Sequence, residues 1–189
     1  MTKRVIIIHG WGGSSKEPLL QWLKTELEDR GLEVILPGMP DTENPIIENW
    51  VKKLEEIIED PDRDTILVGH SIGCQTILRY LEKLHPAKRI GGVVFIAPWF
   101  TLSNLNDEEQ KIAKPWLDIP IREKDVVKHA RIIAIFSDND PLVPRENTEF
   151  FERRFPKAKI ITEHQKGHFT ERDGVGSLPS ALEAILTMN

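Results

Sequence analysis

T-I-L-V-G-H-S-I-G-C-Q-T-I-L-R-Y, Thr65 to Tyr80, reads as a strand that turns directly into a helix. Thr65 to Val68 is a short β-branched and apolar run, the composition of a buried strand. From Ile72 onward the spacing is helical, with Ile72, Gln75/Thr76 and Arg79/Tyr80 one turn apart. Between the two lies Gly69-His70-Ser71-Ile72-Gly73, a G-x-S-x-G match. A sharp strand-to-helix turn lifts one side chain above the sheet edge and strains its backbone, so the residues two positions away must be small. Gly69 and Gly73 meet that need and Ser71 is the residue lifted out. The plainer alternative is a glycine-containing turn whose serine caps the helix. The position between a buried strand and a helix favours the exposed serine.

Working outward, strands and helices alternate. Lys3 to Ile8 reads as a strand buried on both faces. Pro18 to Arg30 carries a helical apolar stripe, Leu32 to Leu36 is a second strand, and Ile46 to Glu59 repeats the stripe. Ile90 to Ala97, Arg131 to Phe136 and Lys159 to Thr162 are further strands. Helices are expected at about Asn106 to Ala113, Glu146 to Phe155 and Leu178 to Met188. Trp99 to Val127 is otherwise irregular, and Gln165 to Ser177 is a loop. This alternation implies one α/β domain over residues 1–189, with a six-stranded, mostly parallel sheet covered by helices on both faces. Reactive groups in such a sheet gather past the carboxyl ends of the strands. The polar residues so placed are His9-Gly10-Trp11, Ser71, Asp138/Asp140 and the loop around His168.

A serine hydroxyl attacks a carbonyl only when a base takes its proton, and that base is usually a histidine oriented by a carboxylate. Ser71, Asp140 and His168 follow one another in the serine, acid, histidine order of the α/β-hydrolases. Asp138 is a second candidate for the acid. Asp140 is preferred because Pro141 biases it toward extended backbone at the turn into the next helix, leaving Asp138 to form the turn through an Asx-type hydrogen bond. His164 competes with His168 for the base. It reads as solvent-facing, whereas Gly167 permits a turn at His168 and Phe169 anchors it. An oxyanion needs two aimed donors. The backbone amide of Ile72 is one and that of Trp11 the other, with Gly12 the nearby alternative to Trp11. Trp99, Phe100 and Trp116 either wall a substrate pocket, form a short lid, or close the core.

Other residues read as structural. His70 packs and hydrogen-bonds locally, His9 braces its loop, Cys74 is a small buried hydrophobe, and Trp22 and Trp50 are core. His85 and His129 fall in polar segments and read as exposed. No H-E-x-x-H or similar spacing is present, so no metal site is expected, and no nucleotide-binding glycine pattern points to a cofactor.

The Ser71 elbow, the Asp140-Pro-Leu-Val-Pro144 run and Gly167-His168-Phe169 together resemble the small serine hydrolases of the retinoblastoma-binding-protein-9 and YdeN-like type. Ala97-Pro98-Trp99 and Ala113-Lys-Pro-Trp-Leu117 are similar to that group too. The resemblance implies a compact α/β-hydrolase fold without the usual N-terminal antiparallel hairpin or a large cap domain. It implies Ser71 as nucleophile, Asp140 as acid and His168 as base, with carboxylesterase-like activity on a small acyl substrate. The alternative is a catalytically silent binding or regulatory module on the same fold. The L-x-C-x-E motif associated with retinoblastoma binding is absent, because Cys74 follows Ile72 by two and precedes Thr76, so that partner is not expected.

The chain has 189 residues, with 40% hydrophobic and 29% charged, and a formal net charge of −5. That balance gives no reason to expect nucleic acid or an anionic membrane as partner. One cysteine rules out an internal disulfide. The N-terminal apolar run is too short for a signal-peptide core, and a cytoplasmic location is the expectation.

Overall fold

The computed structural model describes residues 3–188. Its strands are β1 (Arg4–Ile8), β2 (Glu33–Ile35), β3 (Thr65–His70), β4 (Gly92–Ile96), β5 (Ile132–Ser137) and β6 (Lys159–Glu163). The helices are α1 (Pro18–Glu28), α2 (Ile47–Ile58), α3 (Ile72–Lys83), α4 (Asp107–Asp118), α5 (Glu123–Val126), α6 (Glu146–Arg154) and α7 (Pro179–Leu186). The six strands form one sheet in the order β2-β1-β3-β4-β5-β6, and every pairing is parallel. Every residue of β3, β4 and β5 is buried, so both faces are covered. This is why these strands read as unbroken apolar runs rather than alternating ones. On the helical layers α1 packs with α7 and α2 with α3. A single apolar cluster runs from Val5 through Val68, Phe95 and Ile135 to Ile185.

Beyond shifts of a residue or two at helix and strand ends and the unexpected short helix α5, three departures from the sequence reading have a local reason. β3 runs on through Gly69 to His70, because His70 still pairs with Ile96 of β4 and the turn is confined to Ser71. α4 passes through Pro115 to Asp118 instead of stopping at Ala113. The proline removes one helical hydrogen bond, but the helix is anchored at its start by a full capping box between Asn106 and Glu109. The loop after β6 contains a 3₁₀ turn at Glu171–Asp173, too short for any periodic signal.

The sheet order decides what meets at the carboxyl edge. β1 and β4 flank β3, and β5 and β6 follow. The loops after β1, β3, β5 and β6 therefore converge on one rim, where Ser71 stands. No helix among the described residues is long and apolar enough to cross a membrane.

Candidate active site

Ser71 sits at φ 53° and ψ −117°, outside the backbone conformations that residues with a side chain prefer. Two glycines make this turn possible. A Cβ on Gly69 would lie 2.7 Å from the Cys74 nitrogen, and one on Gly73 would lie 2.4 Å from the Ile8 carbonyl oxygen. The elbow is tied to the sheet by Ser71 N–H donating to Ile96 O at 2.9 Å, and by the Cys74 thiol reaching Gly69 O and Ile96 O. Burial pushes that thiol's pKa far up, so it remains an inert S–H donor.

The candidate base, His168, is carried by the loop after β6. Gly167 has φ 52° and Phe169 φ 58°, and the Phe169 ring is buried. Asp173 accepts from the amides of His168 and Thr170, both at 3.0 Å, and from the Thr170 hydroxyl at 2.6 Å. The loop thus presents His168 with Nε2 3.0 Å from Ser71 Oγ and Nδ1 2.8 Å from Asp140 Oδ2. The Asp140 side chain is only 2% exposed. Its other oxygen accepts from the Leu142 and Val143 amides, each at 2.9 Å, which fixes the carboxylate's direction.

The rejected candidates pair with each other. His164 is exposed and its Nδ1 lies 2.5 Å from Asp138 Oδ2, away from Ser71. The Asx-type bonds expected of Asp138 are made by Asp140 instead, while Asp138 accepts from the Gln165 amide across the loop. At the other side of Ser71, the Gly12 amide donates to Thr42 O at 2.8 Å, which removes Gly12 as an oxyanion donor. Among the described residues, the amides of Trp11 and Ile72 have no protein acceptor.

A cleft of about 700 Å³ opens over Ser71. Trp99, Leu102, Leu105 and Leu142 give it an apolar side, and the Trp11 side chain lines it while donating to Glu43 O at 2.9 Å. Phe100 and Trp116, expected as pocket wall, lid or core, do not line it. Phe100 packs on Phe151 and Phe155, with the Arg154 guanidinium over its other face. Trp116 is buried edge-on to Trp50, and its Nε1 donates to Pro45 O at 2.9 Å. Trp116 is a core residue, and Phe100 is a partly buried one packed against the core.

The profile of the serine hydrolase family matches residues 5–187. The chain belongs to the serine hydrolase family. YdeN of Bacillus subtilis is 31% identical over 98% of this chain and 95% of its own length. The serine hydrolase RBBP9 of Rattus norvegicus is 26% identical, covering 87% of this chain and 80% of that one. In three dimensions, the crystal structure of the B. subtilis ydeN product superposes with a TM-score of 0.90 over 99% of this chain and 98% of its own, at 27% identity. Est1E of Butyrivibrio proteoclasticus, solved with ferulic acid bound, has a TM-score of 0.76 over 98% of this chain and 89% of its own, at 17% identity. This serine hydrolase therefore has a compact α/β-hydrolase fold.

One feature of the site, Glu17, was not read from the sequence, and His70 makes the local hydrogen bond expected of it. Glu17 lines the cleft, and its Oε2 lies 3.8 Å from His70 Nδ1. Burial raises its carboxyl above the usual range, against an opposing hydrogen bond from the Ser14 amide. No motif marks this glutamate, since only the fold brings the start of α1 to the elbow. His70 itself is buried, and its Nε2–H donates to the His168 carbonyl at 2.9 Å. Nδ1 is consequently the unprotonated nitrogen, and burial, reinforced by the charge of His168, brings the His70 pKa down to about 4. His9 also braces locally, with Nδ1–H donating to Gly10 O and Nε2 accepting from the Met39 amide. His129 is buried rather than exposed, because the turn before β5 folds it inward to donate to Lys88 O at 2.8 Å. Among the described residues, no group of three or more His, Cys, Asp or Glu side chains is placed to hold a metal ion.

Proposed function

We propose that this chain is a carboxylesterase-like serine hydrolase that cleaves a small acyl ester through a Ser71–His168–Asp140 triad. The observation that carries the reading is the continuous hydrogen-bonded chain from Ser71 Oγ through both nitrogens of His168 to Asp140, at 3.0 and 2.8 Å. Ser71 Oγ attacks the acyl carbonyl as His168 Nε2 takes its proton. Asp140 holds Nδ1–H and offsets the charge of the imidazolium. The carbonyl oxygen becomes an oxyanion facing the amides of Trp11 and Ile72. His168 returns the proton to the departing alkoxide, so an alcohol leaves and the acyl group stays on Ser71. Water, deprotonated by the same histidine, then attacks the acyl-enzyme and releases a carboxylic acid and free serine. The apolar wall of Trp99, Leu102, Leu105 and Leu142 suits an acyl chain. The carboxylesterase and monoacylglycerol lipase names among the fold relatives support an ester as the bond attacked.

The deciding experiment is labelling with a fluorophosphonate probe beside hydrolysis of p-nitrophenyl acetate and butyrate. Wild type is expected to label and turn over. Ser71→Ala is expected to lose labelling and Asp140→Asn to lose about 10⁴-fold in kcat. Folded wild type that neither labels nor hydrolyses would replace this reading by that of a catalytically silent binding module.

A further inference from the structure

A second cavity, of about 610 Å³, lies at the opposite end of the sheet. Its walls come from α5, the turn into β5, the end of α6 and the segment 155–158 that leads into β6. β5 and β6 are parallel neighbours, so these walls gather at the amino ends of the strands. Ser71, Asp140 and His168 all stand past the carboxyl ends. The two cavities share no residue.

The floor is apolar, with Val127, Ala130, Ile132, Phe155, Pro156 and Ala158. Val127 is 45% exposed and forms part of this floor. The rim carries Lys124, Arg131, Arg153, Arg154 and Lys157 against one lining carboxylate, Glu123, while Glu149 pairs with Arg153 at 3.7 Å from outside the lining. Arg154 already neutralises Glu123 in an ion pair. This concentration of positive charge stands on a chain whose net charge is −5.

Two ordinary explanations cover only part of it. Arg153 and Arg154 occupy the last turn of α6, where cations complement the helix dipole. Lys124, Arg131 and Lys157 are not in that turn. Elsewhere, the lysines at 24, 52, 83, 88, 114 and 128 each face a carboxylate within 4.0 Å, whereas among the described residues those at 16, 53, 111, 159 and 166 stand apart from one another in the chain without such a pair. Lys124 and Lys157 form no such pair among the described residues, and Arg131 makes one hydrogen bond, to Thr187 O at 3.2 Å.

We propose that this groove binds an amphipathic anion, a hydrocarbon chain ending in a carboxylate. The cationic rim holds the head through charge-assisted hydrogen bonds, with Arg131 suited to bidentate contact. The apolar floor takes the chain, which brings no polar groups that would lose water there. An acidic peptide fits less well, because its backbone amides and carbonyls would lie on that floor without partners. The volume falls in the range of small-molecule sites. The inference does not rest on the catalytic reading, and its test reads binding alone.

The test is calorimetric titration of the full chain with dodecanoate below its micellar concentration. Acetate and dodecyltrimethylammonium serve as controls that lack the chain or reverse the charge. Saturable binding of dodecanoate alone is expected, with the R131Q/K157Q double variant weakened by about tenfold or more. V127D, which sets a negative charge on the floor, is expected to weaken it similarly. It also serves as a second test should the double variant fail to fold. No binding by wild type would overturn the proposal. So would dodecanoate binding that both variants leave unchanged, since that places the ligand in the Ser71 cleft. Equal binding of hexaglutamate, lost in the same variants, would overturn it in favour of an acidic peptide. Binding seen only with phosphatidylglycerol vesicles would overturn it in favour of a membrane surface.

Discussion

Ser71 is held at a positive φ, a strain of about 1–3 kcal/mol that the surrounding packing must sustain. Gly73 is the residue that allows it. A Cβ there would meet the backbone oxygens of Ile8 and His9 at 2.4 and 3.0 Å, and neither can yield without moving β1. Gly73→Ala is therefore expected to cost about 3 kcal/mol of stability and to reduce fluorophosphonate labelling. A urea midpoint equal to wild type would show that the elbow is looser than its geometry implies. His70 makes a second prediction. Its pKa is about 4 in the folded protein against an ordinary 6.5. Between those values the unfolded chain binds a proton that the native state refuses, so stability rises with pH through this window and is lost as pH falls through it. The loss attributable to His70 is about 2 kcal/mol between pH 7 and pH 5. His9, whose pKa burial also lowers, adds to the same slope. Denaturant titrations at the two pH values should show a smaller difference in His70→Gln than in wild type, whatever the variant's stability at pH 7.

At the scale of elements, the segment from Trp99 to Val127 is clamped to α3. Arg79 is buried, with its guanidinium 5.4 Å from the Trp116 ring centre. It donates to Gln75 Oε1, to Trp116 O at 2.8 Å and to Ile119 O at 3.0 Å. Burial lowers its pKa to about 10, with Glu82 and Glu48 opposing the shift, so the charge persists at neutral pH. These donors satisfy the carbonyls that end α4, which lets that helix continue past Pro115. Arg79→Ala leaves those carbonyls without donors and should cost about 3 kcal/mol. Hydrogen exchange is expected to speed up over residues 116–122 while the sheet stays protected. Equal exchange in both proteins would mean that Trp116 alone holds the segment. On the other side of the sheet edge, Asn147 performs a similar task. Its side chain accepts from the Phe100 and Thr101 amides and donates to Thr101 O and Pro144 O.

For the molecule as a whole, one apolar cluster draws on β1, β3, β4 and β5 and on α1, α2, α3, α6 and α7. Among the described residues no second core separates from it, and Trp116 of α4 belongs to it as well. Thermal unfolding is therefore expected as one transition, with near- and far-ultraviolet circular dichroism coincident. A separate early near-ultraviolet transition would show that the tryptophan-bearing segment melts apart from the sheet.

Much of this architecture is legible in the sequence because the signals are local. The apolar runs of β1, β3 and β5, the stripes of α1 and α2, and the paired glycines around Ser71 each report their own element's burial and backbone. The chain order of Ser71, Asp140 and His168 is likewise visible without coordinates. What periodicity does not carry is the meeting of loops distant in sequence. Asp138 and Asp140 are two residues apart, and Pro141 gives only a local reason to prefer Asp140. Only the placement of β6 beside β5 sends Asp138 to His164 and Asp140 to His168. Trp99, Phe100 and Trp116 were indistinguishable as aromatic residues in an irregular segment, and packing set Trp99 beside the cleft, Phe100 partly buried against α6, and Trp116 in the core against α2 and α3. Glu17 and the cationic groove before β6 had no signature at all. Helix stripes and turn residues are set by forces within a few residues of chain, whereas these sites are set by sheet order, which brings together side chains that share nothing in sequence but their strand ends.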